Sequence, residues 1–393
     1  MYRKTYAKID GKILEENVKE IKKKYNGYEY YFGVVKNNAY GHGIKVVQNL
    51  IRGGINYLAV SSLEEALQIR KFTLDTPILV LEPISLEFID DAISNKITLT
   101  IESLDYLKSL YKLELSYEIK VHLKLDTGMN RLGMKTSKEV KDAVKIIGKH
   151  EKIYLEGIYT HFASTGVQDV YYDRQVAKFL DLTREIDLSE IPIVHLDRSL
   201  TFVTHEKLIF ANGVRLGISL FGFSGSRKIG SGLKAFLRNF KRKMFIKKHH
   251  ISPTILENDL KLSTAFSLYS TVMSVRKVTK EEVVGYNASY QLKEDGFIAT
   301  IPIGFADGVT KEFGFVAIHK KKYPIVADTM DMIMVLVDEN VKVQDKVEIF
   351  GDTITIQEAK SRLNTNAQHL FNQITTRVPR VHVDGHDEVE IKY

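Results

Sequence analysis

The stretch Val121-His122-Leu123-Lys124-Leu125-Asp126 alternates apolar and polar residues with a period of two, which predicts a β-strand. Its apolar side chains suit a face covered by helices, so His122, Lys124 and Asp126 point to the opposite side. In a closed barrel of parallel strands that side is the interior, and polar groups near the carboxyl end of such a strand are typical of an active site. The fold class then depends on whether the neighbouring sequence repeats this unit.

Similar strand-like runs recur through the first 220 residues, and most are followed by an amphipathic stretch of helical period. This alternation predicts an α/β fold, a (β/α)8 barrel of the TIM type. The predicted strands are Tyr31–Val35, Tyr57–Ser61, Pro77–Leu81, Ile97–Ile101, Ile119–Asp126, Ile153–His161, Ile193–Leu196 and Val214–Leu220. The predicted helices include Ile44–Ile51, Leu63–Lys71, Ser85–Ser94, Ser103–Leu113, Lys138–Gly148 and Tyr172–Ile186.

Beyond residue 262 the strand-like runs no longer alternate with helices, which predicts a separate β-rich C-terminal domain with a single helix, Ile356–Leu363. The predicted strands there are Leu268–Val275, Gly296–Ile303, Phe315–Ile318, Ile333–Val337, Lys346–Phe350, Arg380–Val383 and Glu388–Lys392. We therefore predict a barrel at 9–224, a basic insertion or linker at 225–261, and the β-rich domain at 262–393.

The composition narrows the class of protein. The 393 residues are 44% hydrophobic and 27% charged, as in ordinary globular proteins. There is no cysteine, which excludes disulfides and thiolate metal sites and fits a reducing cytoplasm. The N-terminus lacks the apolar core of a secretion signal, and no apolar run is long enough to span a membrane. We expect a soluble, cytoplasmic chain with no metal site.

The net charge of +7 is concentrated in one segment, because Ser224–His250 holds nine Lys or Arg and no acid. The rest is near neutral, which argues against a nucleic-acid-binding protein. Apolar residues recur in this segment at helical spacing, opposite basic ones: Leu233, Phe236, Leu237, Phe240 and Met244 against Lys234, Arg238, Lys241 and Arg242. Such a helix either contacts a membrane or a partner, or packs its apolar stripe on its own domain. We favour the second interpretation.

The decapeptide Val34-Val35-Lys36-Asn37-Asn38-Ala39-Tyr40-Gly41-His42-Gly43 places a lysine between an apolar run and a turn rich in Asn and Gly. An apolar wall disfavours the charged form of a lysine and makes its amine a nucleophile. Taken alone, a lysine at a strand end is more often a surface residue. The decapeptide, however, resembles the lysine motif of alanine racemases. That resemblance implies pyridoxal 5′-phosphate as cofactor, with Lys36 holding its aldehyde and Tyr40 its phosphate.

The resemblance runs from about residue 3 to Val383 and covers further motifs. Lys124–Gly133 is similar to the family's KxDTGMxRLG signature, which implies that Arg131 approaches the cofactor and the substrate carboxylate. The lysine of that signature is often carbamylated, and as an anion it orients the arginine. Gly157–Ala163 resembles the strand whose histidine, here His161, supports the catalytic tyrosine. Without the motif, a histidine on an apolar strand is more often a core residue.

Two more segments match cofactor contacts of the family. Ser199 matches a phosphate-binding serine, and Gly217 and Ile218 match backbone N–H groups that hold phosphate. Arg215 matches the arginine that bonds the pyridine nitrogen. Because an arginine keeps its proton, the ring stays neutral and is a weaker electron sink, which limits side reactions such as transamination.

Racemisation requires a base on each face of the substrate, and Lys36 is one of them. The second base matches Tyr286, in a GYNASY motif. A free tyrosine, with a pKa near 10, is a poor base at neutral pH. Contact with His161 and nearby arginines would favour its phenolate. In the family this tyrosine belongs to the partner subunit, so the resemblance implies a homodimer with shared active sites. Met330 and Asp331 match a further partner-side segment, with the Met330 backbone near the substrate carboxylate.

The sequence departs from the family pattern in three places. Phe305 replaces the tyrosine of IGYADG, and Thr376 replaces a tyrosine that contacts phosphate and narrows the pocket. Segment 325–330 lacks the usual GRxC. The first two changes widen the entry to the substrate site. One hydroxyl or methylene changes the discrimination between substrates by only about 1–3 kcal/mol, so these changes favour a relaxed substrate specificity.

The first functional hypothesis is an alanine racemase that supplies D-alanine for cell-wall peptide, acting on a small amino-acid substrate. The alternative is a serine or broad-specificity amino-acid racemase on the same scaffold. A decarboxylase of similar layout would require a partner-subunit cysteine, which this chain lacks. A non-catalytic pyridoxal-phosphate carrier would resemble the barrel alone.

Overall fold

The computed structural model of the chain describes residues 3–165, 170–224, 233–250 and 260–384. The chain divides into two compact units. The barrel unit consists of Glu15–Asn37 and Val47–Leu262. The C-terminal unit consists of Met1–Leu14, Asn38–Val46 and Ser263–Tyr393. Both ends of the chain therefore contribute to the C-terminal unit.

Eight parallel strands among the described residues close into a barrel in chain order, which confirms the predicted (β/α)8 class. Each predicted run overlaps one strand. Ile97–Ile101 is buried along its whole length, because its alternate side chains either fill the barrel or pack under the helices. The strands are β2 (Tyr30–Val34), β3 (Tyr57–Val60), β4 (Ile78–Val80), β5 (Ile97–Ile101), β6 (Ile119–Lys124), β7 (Ile153–Tyr159), β8 (Ile193–Arg198) and β9 (Gly213–Leu216).

Helices follow most barrel strands, and several begin at a side chain that caps the first turn. Thr136 and Glu139 form a reciprocal capping box at one of them. The helices up to residue 250 are α1 (Gly11–Lys24), α2 (Lys36–Tyr40), α3 (Val46–Gly53), α4 (Leu63–Arg70), α5 (Ile89–Ser94), α6 (Leu104–Tyr111), α7 (Ser137–Ile147), α8 (Tyr171–Thr183) and α9 (Leu233–His249). Short 3₁₀ turns occupy Leu86–Phe88 and Leu188–Glu190.

The C-terminal unit contains a nine-stranded sheet. Its strands are β1 (Tyr6–Asp10), β10 (Phe266–Thr271), β11 (Ser274–Val278), β14 (Gly296–Ile301), β15 (Phe315–Ile318), β16 (Lys321–Asp328), β17 (Ile333–Val337), β18 (Lys346–Phe350) and β19 (Arg380–Val383). They lie in the order β11-β14-β17-β16-β15-β18-β10-β1-β19. The first strand of the chain, β1, pairs antiparallel with β10 and parallel with β19. A separate ribbon joins β12 (Val283–Val284) and β13 (Tyr290–Gln291).

Several details of this unit differ from the prediction. The predicted run Leu268–Val275 is divided between β10 and β11. The prediction of a single helix is wrong, since α11 (Ala367–Gln373) follows α10 (Ile356–Arg362), and the Asn366 side chain caps its first turn. The 3₁₀ turns are Tyr286–Ala288, Phe305–Asp307 and Lys311–Phe313. The predicted strand Glu388–Lys392 lies outside the described residues.

The basic helix α9 does not pack as we favoured. Four of its apolar side chains are exposed: Phe236, Leu237, Phe240 and Met244. Arg242, which the spacing placed on the polar face, is buried instead. Its Nε donates to Asp173 Oδ2 of α8 at 2.9 Å, and its Nη2 donates to His205 Nε2 at 3.0 Å. A buried carboxylate requires a cation, so this ion pair decides which face of α9 turns inward. No helix among the described residues is long and apolar enough to cross a membrane.

Candidate active site

Lys36 begins a strained turn directly after β2. It is half-buried, and the four residues that follow it, Asn37 to Tyr40, have φ angles of 52°, 52°, 53° and 53°. A left-handed conformation costs about 1–2 kcal/mol per non-glycine residue, and such strain concentrates at functional sites. The turn is held by hydrogen bonds, such as that from the Asn37 N–H to Glu65 Oε1 at 2.6 Å. The half-buried Tyr40 ends the turn.

Lys124, at the end of β6, is buried among other cations. Burial, followed by the charges of Arg131 and Arg215, lowers its pKa from 10.5 to about 8, and Lys36 contributes in the same direction. Glu82 opposes this shift. Four predicted site residues from different parts of the barrel therefore lie within electrostatic range of one another. Such a cation-rich cluster favours an anionic ligand.

Arg131 lies on a loop whose two ends are joined by backbone hydrogen bonds. The Lys124 carbonyl accepts from the Met134 N–H, and the Met134 carbonyl accepts from the Asp126 N–H, both at 2.9 Å. Asp126 Oδ1 also accepts from the Gly128 and Asn130 N–H groups. The loop thus presents Arg131 to solvent beside the buried Lys124.

Arg215, on β9, is 3% exposed and is fixed by four hydrogen bonds. Its Nη1 donates to His195 Nδ1 and to the His195 carbonyl, and its Nη2 donates to the carbonyls of Thr160 and Leu196. Burial lowers its pKa to about 10, which leaves it charged at neutral pH. Since all four bonds within the described chain use the Nη groups, Nε is the donor that remains for a ligand.

A chain of buried polar groups runs from Arg215 through the barrel. Because His195 Nδ1 accepts from Arg215, its Nε2–H donates to His122 Nδ1 at 2.9 Å, and His122 Nε2–H then donates to Glu156 at 3.1 Å. Burial lowers the pKa of both histidines, so both stay neutral. Burial alone would raise the pKa of Glu156, but bonds from His122, Lys120 and Tyr57 lower it to about 2.

Aromatic rings hold His195 in place. Its ring stacks between those of Phe32, at 4.5 Å, and Tyr159, at 4.7 Å. The cations of Lys124 and Arg215 also lie over the Tyr159 ring, at 5.4 and 5.2 Å. Four of these supporting residues were not predicted from the sequence: His195, Tyr159, Glu156 and Tyr57. The signal for His195 was present, since the alternation along β8 places it inward as the alternation along β6 does for His122.

Ser199 and the segment after β9 form a small polar cup. Ser199 Oγ accepts from the N–H groups of Gly217, at 2.7 Å, and Ser219, at 3.3 Å. Ile218 lies between them. Backbone N–H groups that converge on one oxygen form an arrangement that binds phosphate in other proteins. A phosphate oxygen would replace the serine hydroxyl as their acceptor.

His161 lies just beyond β7, near the same cations. Burial lowers its pKa well below 6.5, and the charges of Arg215, Arg198 and Arg131 lower it further. The imidazole is therefore neutral at neutral pH, with one donor and one acceptor nitrogen. Arg198, which the sequence analysis did not single out, donates from Nε to the Phe162 carbonyl at 3.0 Å.

The C-terminal unit brings together four other predicted residues. The Phe305 N–H donates to the Thr329 carbonyl at 3.1 Å, and the Met330 carbonyl accepts from Ala306 at 3.0 Å. Gly304 permits this approach, because a Cβ there would lie 2.4 Å from the Thr329 carbonyl oxygen. Beside them, Arg377 donates to Asp331 Oδ1 at 2.6 Å, and the exposed Thr376 precedes Arg377.

Tyr286 begins a 3₁₀ turn in the C-terminal unit, and its side chain is 73% exposed. The preceding Gly285 has a φ of +84°, and a Cβ there would lie 2.7 Å from the side chain of Ala327. Only glycine fits this position, so the turn presents the tyrosine to solvent.

Two models of one protein family match the chain. The alanine racemase N-terminal domain matches residues 9–225, and the alanine racemase C-terminal domain matches residues 265–382. The chain belongs to the alanine racemase family. Residues 226–264, which include α9, are matched by neither model of this family.

Individual racemases are similar to this chain over nearly its full length. The alanine racemase of Anoxybacillus flavithermus is 33% identical over 403 aligned positions, which cover 100% of this chain and 98% of the relative. A crystal structure of alanine racemase from E. faecalis has a TM-score of 0.85 at 27% identity, over 97% of this chain and 99% of that chain. A histidine racemase from Leuconostoc mesenteroides has a TM-score of 0.84 at 25% identity, over 98% and 99%. This chain is an amino-acid racemase.

Proposed function

We propose that this chain is a pyridoxal-phosphate-dependent alanine racemase that interconverts L- and D-alanine. The observation that carries the proposal is the convergence of Lys36, Lys124, Arg131 and Arg215 at the barrel, in a chain that is similar to alanine racemases from end to end. Supply of D-alanine for cell-wall peptide and a cytoplasmic location remain predictions that follow from this activity.

The barrel residues fit pyridoxal 5′-phosphate. The cations that lower the pKa of Lys124 would be stabilised by an anionic phosphate and a substrate carboxylate. Lys36 would hold the aldehyde, Arg215 Nε would donate to the ring nitrogen, and the phosphate would take the donors Ser199, Gly217 and Ile218. Tyr40 and Thr376 remain further phosphate contacts that the family motifs predict. The bound cofactor supplies an electron sink for removal of the substrate α-proton.

The chain's own residues then move the proton. The Lys36 amine, once the substrate amine displaces it from the aldehyde carbon, would take or return the proton on one face, and the Tyr286 phenol of the partner subunit would do so on the other. The 73% exposure of Tyr286 in a single chain supports a role at a second subunit. A neutral His161 would bond the tyrosine oxygen. Arg131 and the Met330 N–H would bind the substrate carboxylate.

A carbamate on Lys124 is part of the proposal. Carbon dioxide adds to a neutral amine, and a pKa of about 8 makes that form accessible near neutral pH. The product is an anion beside Arg131 and Arg215. It would orient Arg131 and reduce the local excess of positive charge.

The test of the proposed activity is α-hydrogen exchange of L-alanine in deuterated water, followed by chiral analysis. We expect deuterated D-alanine, and we expect Lys36→Ala to abolish both the exchange and the yellow absorbance of the purified protein. The control is Lys45→Ala, at a lysine with no assigned role. Exchange that persists in Lys36→Ala would rule out Lys36 as the cofactor lysine.

Mixing two inactive variants tests the shared site. If each site combines Lys36 of one subunit with Tyr286 of the other, a mixed dimer of Lys36→Ala and Tyr286→Phe holds one intact site and one doubly altered site. Random mixing would then restore about a quarter of wild-type activity. No recovery after verified subunit exchange would show that both residues act within one chain.

Broad specificity is the second candidate. Phe305 and Thr376 lack the hydroxyl groups or bulk of the tyrosines at these positions in the family, and a histidine racemase shares the scaffold. The measurement is kcat/KM for L-alanine, L-serine, L-lysine and L-histidine. A preference for alanine of roughly a hundredfold or more would support the first proposal, and a preference for another amino acid would replace it.

A further inference from the structure

Helix α9 exposes a continuous apolar stripe. Phe236 is 66% exposed, Leu237 51%, Phe240 58% and Met244 57%. At 3.6 residues per turn these four side chains fall within about 100° of the helix circumference. Large apolar side chains grouped in this way mark an interaction surface, whereas scattered ones do not.

Lysines border the stripe on both sides. Lys241 and Lys248 lie along one edge, Lys243 along the other, and Lys247 near its C-terminal end; all four are exposed. The helix contains no acid. A lysine places its methylene groups along an apolar surface while its amine reaches a polar layer. This is the pattern of a helix that lies flat in the interface of an anionic bilayer.

The inner face of α9 is fixed with the stripe directed outward. Arg242 bonds Asp173 and His205 of the same unit, so this one basic side chain is neutralised internally. The lysines at the edges of the stripe retain their charge for an outside partner. The helix has 17 residues, a length of about 25 Å, which suits a surface-lying orientation.

We propose that α9 binds the barrel unit to an anionic lipid surface. The four apolar side chains enter the boundary between headgroups and acyl chains, and the lysines pair with lipid phosphates. The surface belongs to the segment matched by neither family model, and it includes none of the candidate active-site residues. Binding through this surface would therefore place the racemase at a membrane and leave its reaction unchanged.

Charge and shape favour lipid over the other occupants. A second copy of α9 would bring the same positive charge against the lysines, which opposes self-association. A nucleic acid would engage the lysines but leave the apolar stripe in water. An anionic bilayer satisfies both features, because its headgroups are negative and its interior is apolar.

The experiment is flotation of the full-length protein with vesicles. One set is phosphatidylcholine with about one-third phosphatidylglycerol, and the other is phosphatidylcholine alone. We expect binding to the anionic vesicles only, weakened by salt. Phe236→Ser with Phe240→Ser should weaken it by roughly tenfold or more, and racemase activity in solution should not change. The matched control is Leu74→Ser with Ile209→Ser, at two apolar side chains that are even more open to solvent.

A second pair of variants tests the charge. Lys241→Gln with Lys243→Gln should reduce binding, whereas Lys145→Gln with Lys149→Gln should not, although all four lysines are exposed. Three results would overturn the proposal. They are equal binding to both vesicle types, binding that survives loss of the two phenylalanines, and a higher oligomer that these phenylalanines hold together. Since vesicle binding is measured without substrate, failure here leaves the proposed activity intact.

Discussion

The candidate site residues of the two units differ in how much their own chain supports them. In the barrel unit, Arg215 is 3% exposed and His195 0%, and each is held by hydrogen bonds or stacked rings. In the C-terminal unit, Tyr286, Met330 and Phe305 are 73%, 56% and 49% exposed. Rigid support of catalytic groups is a general requirement, and the barrel supplies it within one chain for these two residues. The three exposed residues would obtain rigid support only from another surface, which the proposed dimer provides.

The largest expected effect is a loss of racemase activity, and it distinguishes two tyrosines, one from each unit. Tyr286→Phe should lower racemisation by roughly 10²–10⁴-fold, because a general base is lost, while the urea unfolding midpoint stays the same. One enantiomer should still exchange its α-hydrogen without inversion, through Lys36. Tyr159→Phe removes a buried bond to Thr100 and should lower the unfolding free energy by about 1 kcal/mol. An active Tyr286→Phe enzyme would exclude this tyrosine as the second base.

The second prediction concerns the chain of buried hydrogen bonds that runs from Arg215 to Glu156. Glu156→Leu leaves the buried His122 without its acceptor, removes the carboxylate that Lys120 and Tyr57 also bond, and should lower the unfolding free energy by about 3 kcal/mol. Glu156→Gln keeps one acceptor oxygen, so the loss should be about 1 kcal/mol. Urea denaturation measures both. We also expect kcat to fall with unchanged cofactor content, since Arg215 loses its alignment through His195. Equal stability of the two variants would show that the chain of bonds does not support the barrel.

The fold was predictable where the pattern is local. The eight barrel strands and five of the C-terminal strands follow from period-two or continuously apolar runs. Strand β16 was missed because Lys321, Lys322 and Pro324 interrupt its apolar pattern, and its place depends on pairing with β15 and β17. Helix α9 was predicted, but not its orientation. Helical spacing shows which residues share a face, whereas the buried Asp173, far away in sequence, decides which face turns inward.

The residues of the candidate site also divide into those that a local motif predicts and those that depend on long-range contacts. Lys36, Lys124 and Arg215 lie in short motifs that are recognisable in sequence. His195 and Glu156 are linked to the candidate site only by contacts across the barrel, and their partners lie at least 20 and 34 residues away in sequence. A single sequence does not specify such non-local pairs, so the support of the site had to come from the structure.

The third prediction concerns Lys124 and pH. Its neutral fraction rises as the pH passes through about 8, so carbamate formation from ¹³C-bicarbonate should increase between neutral and mildly alkaline pH. In buffer free of carbon dioxide, we expect activity to fall several-fold and bicarbonate to restore it. The measurement is the ¹³C carbamate signal together with kcat/KM.

A second lysine on the same strand is the control. Burial disfavours the charged form of Lys120, but the hydrogen bond and charge of Glu156 raise its pKa, so it remains an ammonium ion. The carbamate signal should vanish in Lys124→Met and persist in Lys120→Met. A signal that survives in Lys124→Met would place the modification elsewhere.

The smallest expected effect compares two arginines of the C-terminal unit. Arg377 pairs with Asp331, both side chains are about half exposed, and its contact with Asp307 is long, at 3.6 Å. We therefore expect Arg377→Gln to leave the unfolding free energy almost unchanged. Arg3 makes two bonds to Asp307, whose side chain is fully buried, so Arg3→Gln should lower it by about 2 kcal/mol. Arg377→Gln could instead prove more destabilising than Arg3→Gln. The exposed residues Tyr286, Met330 and Phe305 would then already be held rigidly in the single chain. The contrast between the units would then need another explanation than a missing partner surface.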